Sequence, residues 1–253
     1  MADETYRADG PVRDGLPGHG RVPKHYAVKV RLAELCDELG EGAPLPPERE
    51  LAARFEVSRV TVQKAVRELV IDGRLRTRQG SGTFVAGPKL TQPLALVSYT
   101  EGMRGQGLRP GRRLITLEHL PAEPRLAERL RIASGDEVIH LERALYADDE
   151  PVGLESTYLP AARHEGLLDV LDPEQSLYAC LRERLGVVFA RADERIETVL
   201  ATPREALLIG INPAVPMLLI HRVSYDPDDV PIESVRVLYR GDRFSFTARL
   251  TAP

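Results

Sequence analysis

Between residues 26 and 72 the apolar positions recur at helical spacing and are cut into three short segments. Val28, Leu32, Leu35 and Leu39 form one stripe of a helix predicted over 26–39, which Gly40 ends. Pro46 or Pro47 opens a second helix, where a missing N–H is harmless and Glu48 and Glu50 suit the positive helix end. A third helix is predicted over 58–72, with Val62, Ala65, Val66 and Leu69 at i, i+3, i+4 and i+7 and Gly73 as its stop. A basic strand pair follows around a glycine tip, Arg76-Thr77-Arg78-Gln79-Gly80-Ser81-Gly82-Thr83.

Ala86-Gly87-Pro88-Lys89 then punctuates the chain and starts a linker expected over 87–93. Beyond it the apolar period becomes two. Strands over 137–146 and 151–159 flank the turn Asp148-Asp149-Glu150, and further strands are expected near 187–200, 216–226, 231–240 and 244–250. Helices near 124–131, 174–185 and 203–209 interrupt them. The fold class is therefore α+β, with a small helical domain over 21–86 and an antiparallel-sheet domain over 94–253. Residues 1–20, rich in glycine and proline with little to bury, are expected to be a disordered tail.

The 253 residues suffice for two small cores, and 43% hydrophobic with 28% charged residues marks a soluble chain. No apolar run approaches 18 residues and no signal peptide is visible, so a cytoplasmic protein without membrane contact is expected. Cys36 and Cys180 have neither metal spacing nor a disulfide framework and read as buried thiols; no metal or cofactor is expected. Charge is unevenly spread. Residues 20–89 carry 13 Lys and Arg against 9 Asp and Glu, whereas residues 90–253 carry 19 against 25. A basic module joined to an acidic one suggests that only the first touches the phosphates of a nucleic acid.

The polar side of the third helix presents Val60, Gln63, Lys64 and Arg67, with Arg59 beside them and Ser58 placed to cap the helix. Such a helix enters a major groove with its N-terminal residues at the base edges. Arg59 suits guanine O6 and N7, Gln63 suits adenine or a phosphate, and Val60 suits a thymine methyl. Arg49 is placed for a backbone phosphate, Arg76 and Arg78 for the phosphates beside the strand pair, and the Gln79-Gly80 tip for a minor groove. Surface cations alone would fit a solvated helical domain; the capping serine, cationic face and basic glycine-tipped hairpin in this order favour double-stranded DNA.

Leu45-Pro46-Pro47-Glu48-Arg49, Val57-Ser58-Arg59-Val60-Thr61-Val62 and Arg78-Gln79-Gly80-Ser81-Gly82-Thr83-Phe84-Val85 resemble the winged helix-turn-helix of GntR-superfamily transcription regulators. The resemblance implies DNA contacts by Arg49, Ser58, Arg59, Thr61 and Gly80. It also exposes two departures: many relatives carry threonine at Val60 and arginine at Gln63.

In the second domain the strand period puts Ile139, Leu141, Arg143 and Leu145 on one face, and Glu233 and Tyr239 with Val235 and Val237 on another. An arginine among aliphatics needs an anion. The residues leave two readings open: an internal ion pair of Arg143 with Glu155 or Glu233, or a polar small-molecule pocket.

Ser98-Tyr99-Thr100-Glu101-Gly102-Met103, Glu150-Pro151-Val152-Gly153-Leu154-Glu155, Ser176-Leu177-Tyr178 and Val237-Leu238-Tyr239-Arg240-Gly241-Asp242-Arg243 resemble the UTRA ligand-sensing domain of the HutC branch, which has a chorismate-lyase-like fold. Several of these segments are close to the DasR/NagR amino-sugar regulators. The resemblance implies a phosphorylated amino sugar as effector, with Ser98, Arg143, Ser176 and Tyr178 around the phosphate. It places Glu155, Glu233 and Tyr239 on the sugar, with Tyr99 and Thr100 in the same site. Relatives carry a second arginine two residues beyond the first, where this chain has Leu145. That departure implies either a less charged effector or another donor, for which Arg240 is the candidate.

An enzyme reading, with Arg143 and Glu155 as a catalytic pair, lacks a nucleophile–base pattern, metal-ligand spacing or a phosphate-cradling loop. His19, His25, His119, His140, His164 and His221 are scattered. A scaffold without ligand would not carry charges on apolar strand faces. The expected protein is a homodimer joined through its second domains, repressing from a palindromic operator and responding to a sugar phosphate.

Overall fold

The computed structural model describes residues 23–78, 81–213 and 215–250. The tail expected over 1–20, and Gln79 and Gly80 at the wing tip, lie outside the described residues. Three helices, α1 (Lys24–Leu39), α2 (Glu48–Arg54) and α3 (Arg59–Ile71), pack on one another through Val28, Leu32, Leu35, Leu51, Val62, Ala65, Val66 and Leu69, while Leu39, expected in the first stripe, stays exposed at the end of α1. The strands β1 (Leu75–Arg78) and β2 (Gly82–Val85) pair antiparallel and close this core with Leu75 and Val85. The Ser58 hydroxyl caps α3 as expected, accepting the Thr61 N–H at 3.2 Å.

In chain order the rest comprises β3 (Leu90–Pro93), α4 (Tyr99–Arg104), β4 (Pro110–Pro121), α5 (Pro124–Leu130), β5 (Glu137–Ala147), β6 (Glu150–Pro160), α6 (Leu167–Val170), α7 (Leu177–Leu185), β7 (Arg191–Leu200), α8 (Pro203–Ile209), β8 (Pro216–Tyr225), β9 (Pro231–Arg240) and β10 (Phe244–Thr247). Six strands form one antiparallel sheet in the order β4-β5-β6-β9-β8-β7. One face carries Leu154, Leu219 and Leu238 under α8. The other carries Leu145, Ile220 and Tyr239 under α4 and under a two-stranded ribbon of β3 and β10.

Two expectations need correction. Residues 90–93, assigned to the linker, form β3 and run parallel to β10, with Leu90 opposite Phe244 and Gln92 opposite Phe246. Leu90 and Gln92 point inward while Thr91 and Pro93 face out, so the segment is a short strand of the second domain. The strand β4 was not foreseen. It lies at the sheet edge, where half its positions stay polar, and a register shift between Leu114 and Thr116 breaks its alternation.

Among the described residues the two domains meet beside the turn that follows β9. Lys89 donates its ammonium to the Gly241 carbonyl at 2.6 Å, and Gly73, just after α3, lies against the Asp242 backbone.

Candidate functional site

On the reading head Arg49, Ser58, Arg59, Lys64 and Arg67 are exposed together around the start and outer side of α3. Val60 stands 73% exposed at their centre, an apolar side chain presented to solvent among cations. Thr61 is half-buried, its hydroxyl 2.8 Å from that of Ser58. Gln63 is also half-buried and donates to the Glu48 carboxylate at 2.7 Å, so its amide N–H braces α2 against α3. Arg76, expected at a phosphate, is less open than the others. Its side chain is half-buried and lines the groove between the wing and the second domain, beside Asp148, Asp149 and Glu150.

The second domain holds a cavity of about 60 Å³ beneath the β3–β10 ribbon. Eight of the expected effector residues line it: Ser98, Tyr99, Arg143, Glu155, Ser176, Tyr178, Glu233 and Tyr239. Ser98 and Ser176 are the N-caps of α4 and α7, each accepting a backbone N–H of its own helix, so the two helix starts converge on the cavity.

Arg143 and Glu155 face each other across β5 and β6 and form a buried pair at 2.7 Å. The same guanidinium donates to the carbonyls of Gln175 at 3.0 Å and Pro173 at 3.2 Å, pinning the loop before α7. The internal ion pair left open by the strand period is present, and it forms part of the wall of a polar cavity. Burial works against the Glu155 carboxylate, but Arg143 and Arg112 outweigh it and hold its pKa below the usual range.

Arg112 and Arg222 escaped the sequence reading. Arg112 on β4 sits opposite Leu145 in the β4–β5 register and reaches into the cavity from the neighbouring strand. It donates to the Thr100 hydroxyl at 2.9 Å and lies over the Tyr99 ring, with no carboxylate among the described residues hydrogen-bonded to it. Thr100 itself braces Arg112 rather than lining the cavity. Burial, and then the nearby Arg143, push the Arg112 pKa down, so an anion here is electrostatically welcome. Arg222 pairs with Glu194 and donates to the Tyr178 hydroxyl at 3.2 Å. The period of two along β8 could have found it, since Ile220, Arg222 and Ser224 share a face. Arg240, by contrast, turns away from the cavity. It is held by Asp242 at 2.7 Å and by Glu150 at 3.0 Å, beside the domain joint.

Glu233 is fully buried and accepts from the Tyr178 hydroxyl at 2.5 Å and the Ser224 hydroxyl at 2.8 Å, both on Oε1. Its Oε2 has no hydrogen-bond partner among the described residues. Burial raises its pKa above the ordinary 4.5 despite those two donors. The folded state therefore keeps a proton that the unfolded chain has lost, which costs stability above the ordinary carboxylate pKa and nothing below it. Glu233→Gln is expected to melt higher than the wild type at pH 7.5 and together with it at pH 4 in scanning calorimetry. A lower melting temperature at pH 7.5 would show that the carboxylate is a net stabiliser.

Residues 32–85 match the family of bacterial regulatory proteins, gntR family, and residues 105–245 match the UTRA domain. The HTH-type transcriptional repressor PhnF of Mycolicibacterium smegmatis is 49% identical over 232 residues, covering 92% of this chain and 94% of that protein. The HTH-type transcriptional repressor NagR of Bacillus subtilis is 34% identical over 228 residues, covering 89% and 93%. A crystal structure of PhnF from Mycobacterium smegmatis superposes with a TM-score of 0.66 at 49% identity, covering 89% of this chain and 100% of that one. No helix among the described residues is long and apolar enough to cross a membrane. With a DNA-reading head at one end and a ligand-sensing domain at the other, the chain belongs to the HutC branch of the GntR family of transcription regulators, and not to a family of enzymes.

Proposed function

We propose that this repressor binds a palindromic operator as a homodimer joined through its UTRA domains, and releases it when a phosphorylated sugar, of the amino-sugar class, enters the charged cavity. One observation carries the effector class: Arg112 and Arg143 stand side by side on one sheet face, and Arg112 is a half-buried guanidinium with no carboxylate hydrogen-bonded to it among the described residues. A phosphoryl group satisfies that arrangement with charge-assisted hydrogen bonds. The charge missing at Leu145 is supplied from β4 by Arg112, which supports a phosphorylated effector over a less charged one. Glu155, Glu233 and Tyr239 offer the acceptors and the phenol that a sugar's hydroxyl and amino groups require.

A second reading rests on size. A cavity of about 60 Å³ is well below the ~300–1,000 Å³ of pockets for larger ligands. Inorganic phosphate fits it as it stands, whereas a sugar phosphate enters only with movement of the ribbon above. Calorimetry with glucosamine 6-phosphate, glucosamine and inorganic phosphate separates the two. Binding of the sugar phosphate alone supports the first reading, equal binding of inorganic phosphate the second, and binding of glucosamine alone refutes both. Arg112→Ala is expected to weaken the phosphorylated ligand at least tenfold, the loss of one charge-assisted bond of about 1.5–3 kcal/mol. Unchanged affinity in that variant would remove Arg112 from the anion site.

A further inference from the structure

The segment nearest the reading head contributes a side chain to the cavity. Gln92, on β3, is 6% exposed and lines the cavity together with Phe246 of β10. Its amide nitrogen is enclosed and has no hydrogen-bond partner among the described residues. The space behind it is closed, since the backbone of Gly102 in α4 lies so near the amide that a Cβ at Gly102 would fall 2.3 Å from it. A primary amide nitrogen enclosed in a tight pocket without a partner is costly in the free protein, and native structures rarely keep one without a use. The other enclosed, unpartnered polar atoms of this cavity, Glu233 Oε2 and the Nε of Arg112 and Arg143, belong to side chains facing it from the sheet. Gln92 faces it from the ribbon.

We propose that Gln92 is an effector contact and a specificity-determining residue, hydrogen-bonding a polar group of the ligand at the end remote from Arg112 and Arg143. The proposal rests on the reading of the cavity as the effector site. It adds that the ligand is held from two sides: its anion by the sheet arginines and a hydroxyl or carbonyl by the linker strand. The ligand is therefore long enough to reach from sheet to ribbon and polar at both ends, which favours a sugar phosphate over a bare phosphate. Gln92 also lies seven residues beyond the last residue of the wing, Val85, on a strand tied to β10 through the Leu90 N–H to Arg243 carbonyl bond of 2.7 Å. A bond from effector to Gln92 pulls on the chain that carries the reading head.

Gln92→Met keeps the length of the side chain and removes both polar atoms. Full-length wild type and variant are compared in three measurements: melting temperature without ligand, calorimetry with glucosamine 6-phosphate and with inorganic phosphate, and operator affinity with and without the sugar phosphate. The variant is expected to melt at or above the wild type, since it removes an unsatisfied buried amide. It is expected to bind the sugar phosphate about tenfold more weakly, and its ratio of operator affinities should fall towards one. Inorganic phosphate, held by the sheet arginines, should bind both proteins alike. Equal sugar-phosphate affinity in the two proteins overturns the inference while leaving the effector class intact. Failure of the wild type to bind either ligand overturns the effector class, and the ligand-free melt then decides for Gln92. A melting temperature several degrees below wild type means that the amide has a structural partner, and the inference falls.

Discussion

Glu155→Ala is expected to lower folding stability by about 3–5 kcal/mol, because it leaves Arg143 charged and buried with only two carbonyls to face. Arg143 is 1% exposed and cannot turn to water without withdrawing from the loop before α7 that it pins. Glu155→Gln keeps an acceptor for Arg143 and for the Thr157 hydroxyl, which donates at 3.1 Å, so it should lose clearly less. The pair also predicts a pH dependence. With its pKa held below the ordinary value of 4.5, the Glu155 carboxylate stabilises the fold at neutral pH; that contribution is complete above the ordinary value and fades as pH falls through the lowered one. Urea unfolding at pH 7 and pH 3 measures both claims. A loss below about 1 kcal/mol in Glu155→Ala at pH 7 would mean the pair behaves like a solvated surface contact.

The same pair shows what the sequence reveals and what it conceals. Arg143, Glu233 and Tyr239 were legible because each stands among aliphatics at the strand period, and nothing but burial explains such company. The third helix was legible through its ends, Ser58 before α3 and Gly73 after it. Arg112 was not legible. Its strand lies at the sheet edge, is interrupted by a bulge, and places Arg113 next in line, so no apolar face marks Arg112 as inward. Arg240 failed for the opposite reason. It shares an apolar strand with Glu233 and Tyr239, yet one residue from Tyr239 the alternation points it elsewhere, to Asp242 and Glu150. Residues 90–93 looked like linker because four residues ending in proline give too short a period to read. Only the partner strand β10, some 150 residues later, turns them into a ribbon.

That ribbon leads to the second large effect. Gly73→Ala is expected to part the two domains and to uncouple the effector from the operator. Gly73 has a φ of +76°, which an alanine adopts at a cost of about 1–2 kcal/mol. Its added Cβ would also lie 2.1 Å from the Asp242 carbonyl oxygen and 3.1 Å from the Lys89 Cε. Asp242 cannot yield easily, being 4% exposed and held by Arg240, so the reading head must move instead. The contact matters because Asp242 stands three residues beyond Tyr239 of the cavity wall, while Gly73 is two beyond the end of α3. Cavity, turn and reading helix are thus joined over a few rigid residues, the kind of link that allows a ligand to bias operator affinity. Gly42→Ala supplies the control: Gly42 also has a positive φ, +77°, in the same domain, but nothing lies within 4 Å of its Cβ position. In Gly73→Ala, trypsin should cut faster at Lys89, and the ratio of operator affinities with and without effector should collapse towards one. Gly42→Ala should share the loss of helical-domain stability and keep the ratio. If both variants keep it, the joint between Gly73 and Asp242 does not transmit the signal, and the linker strand carries it alone.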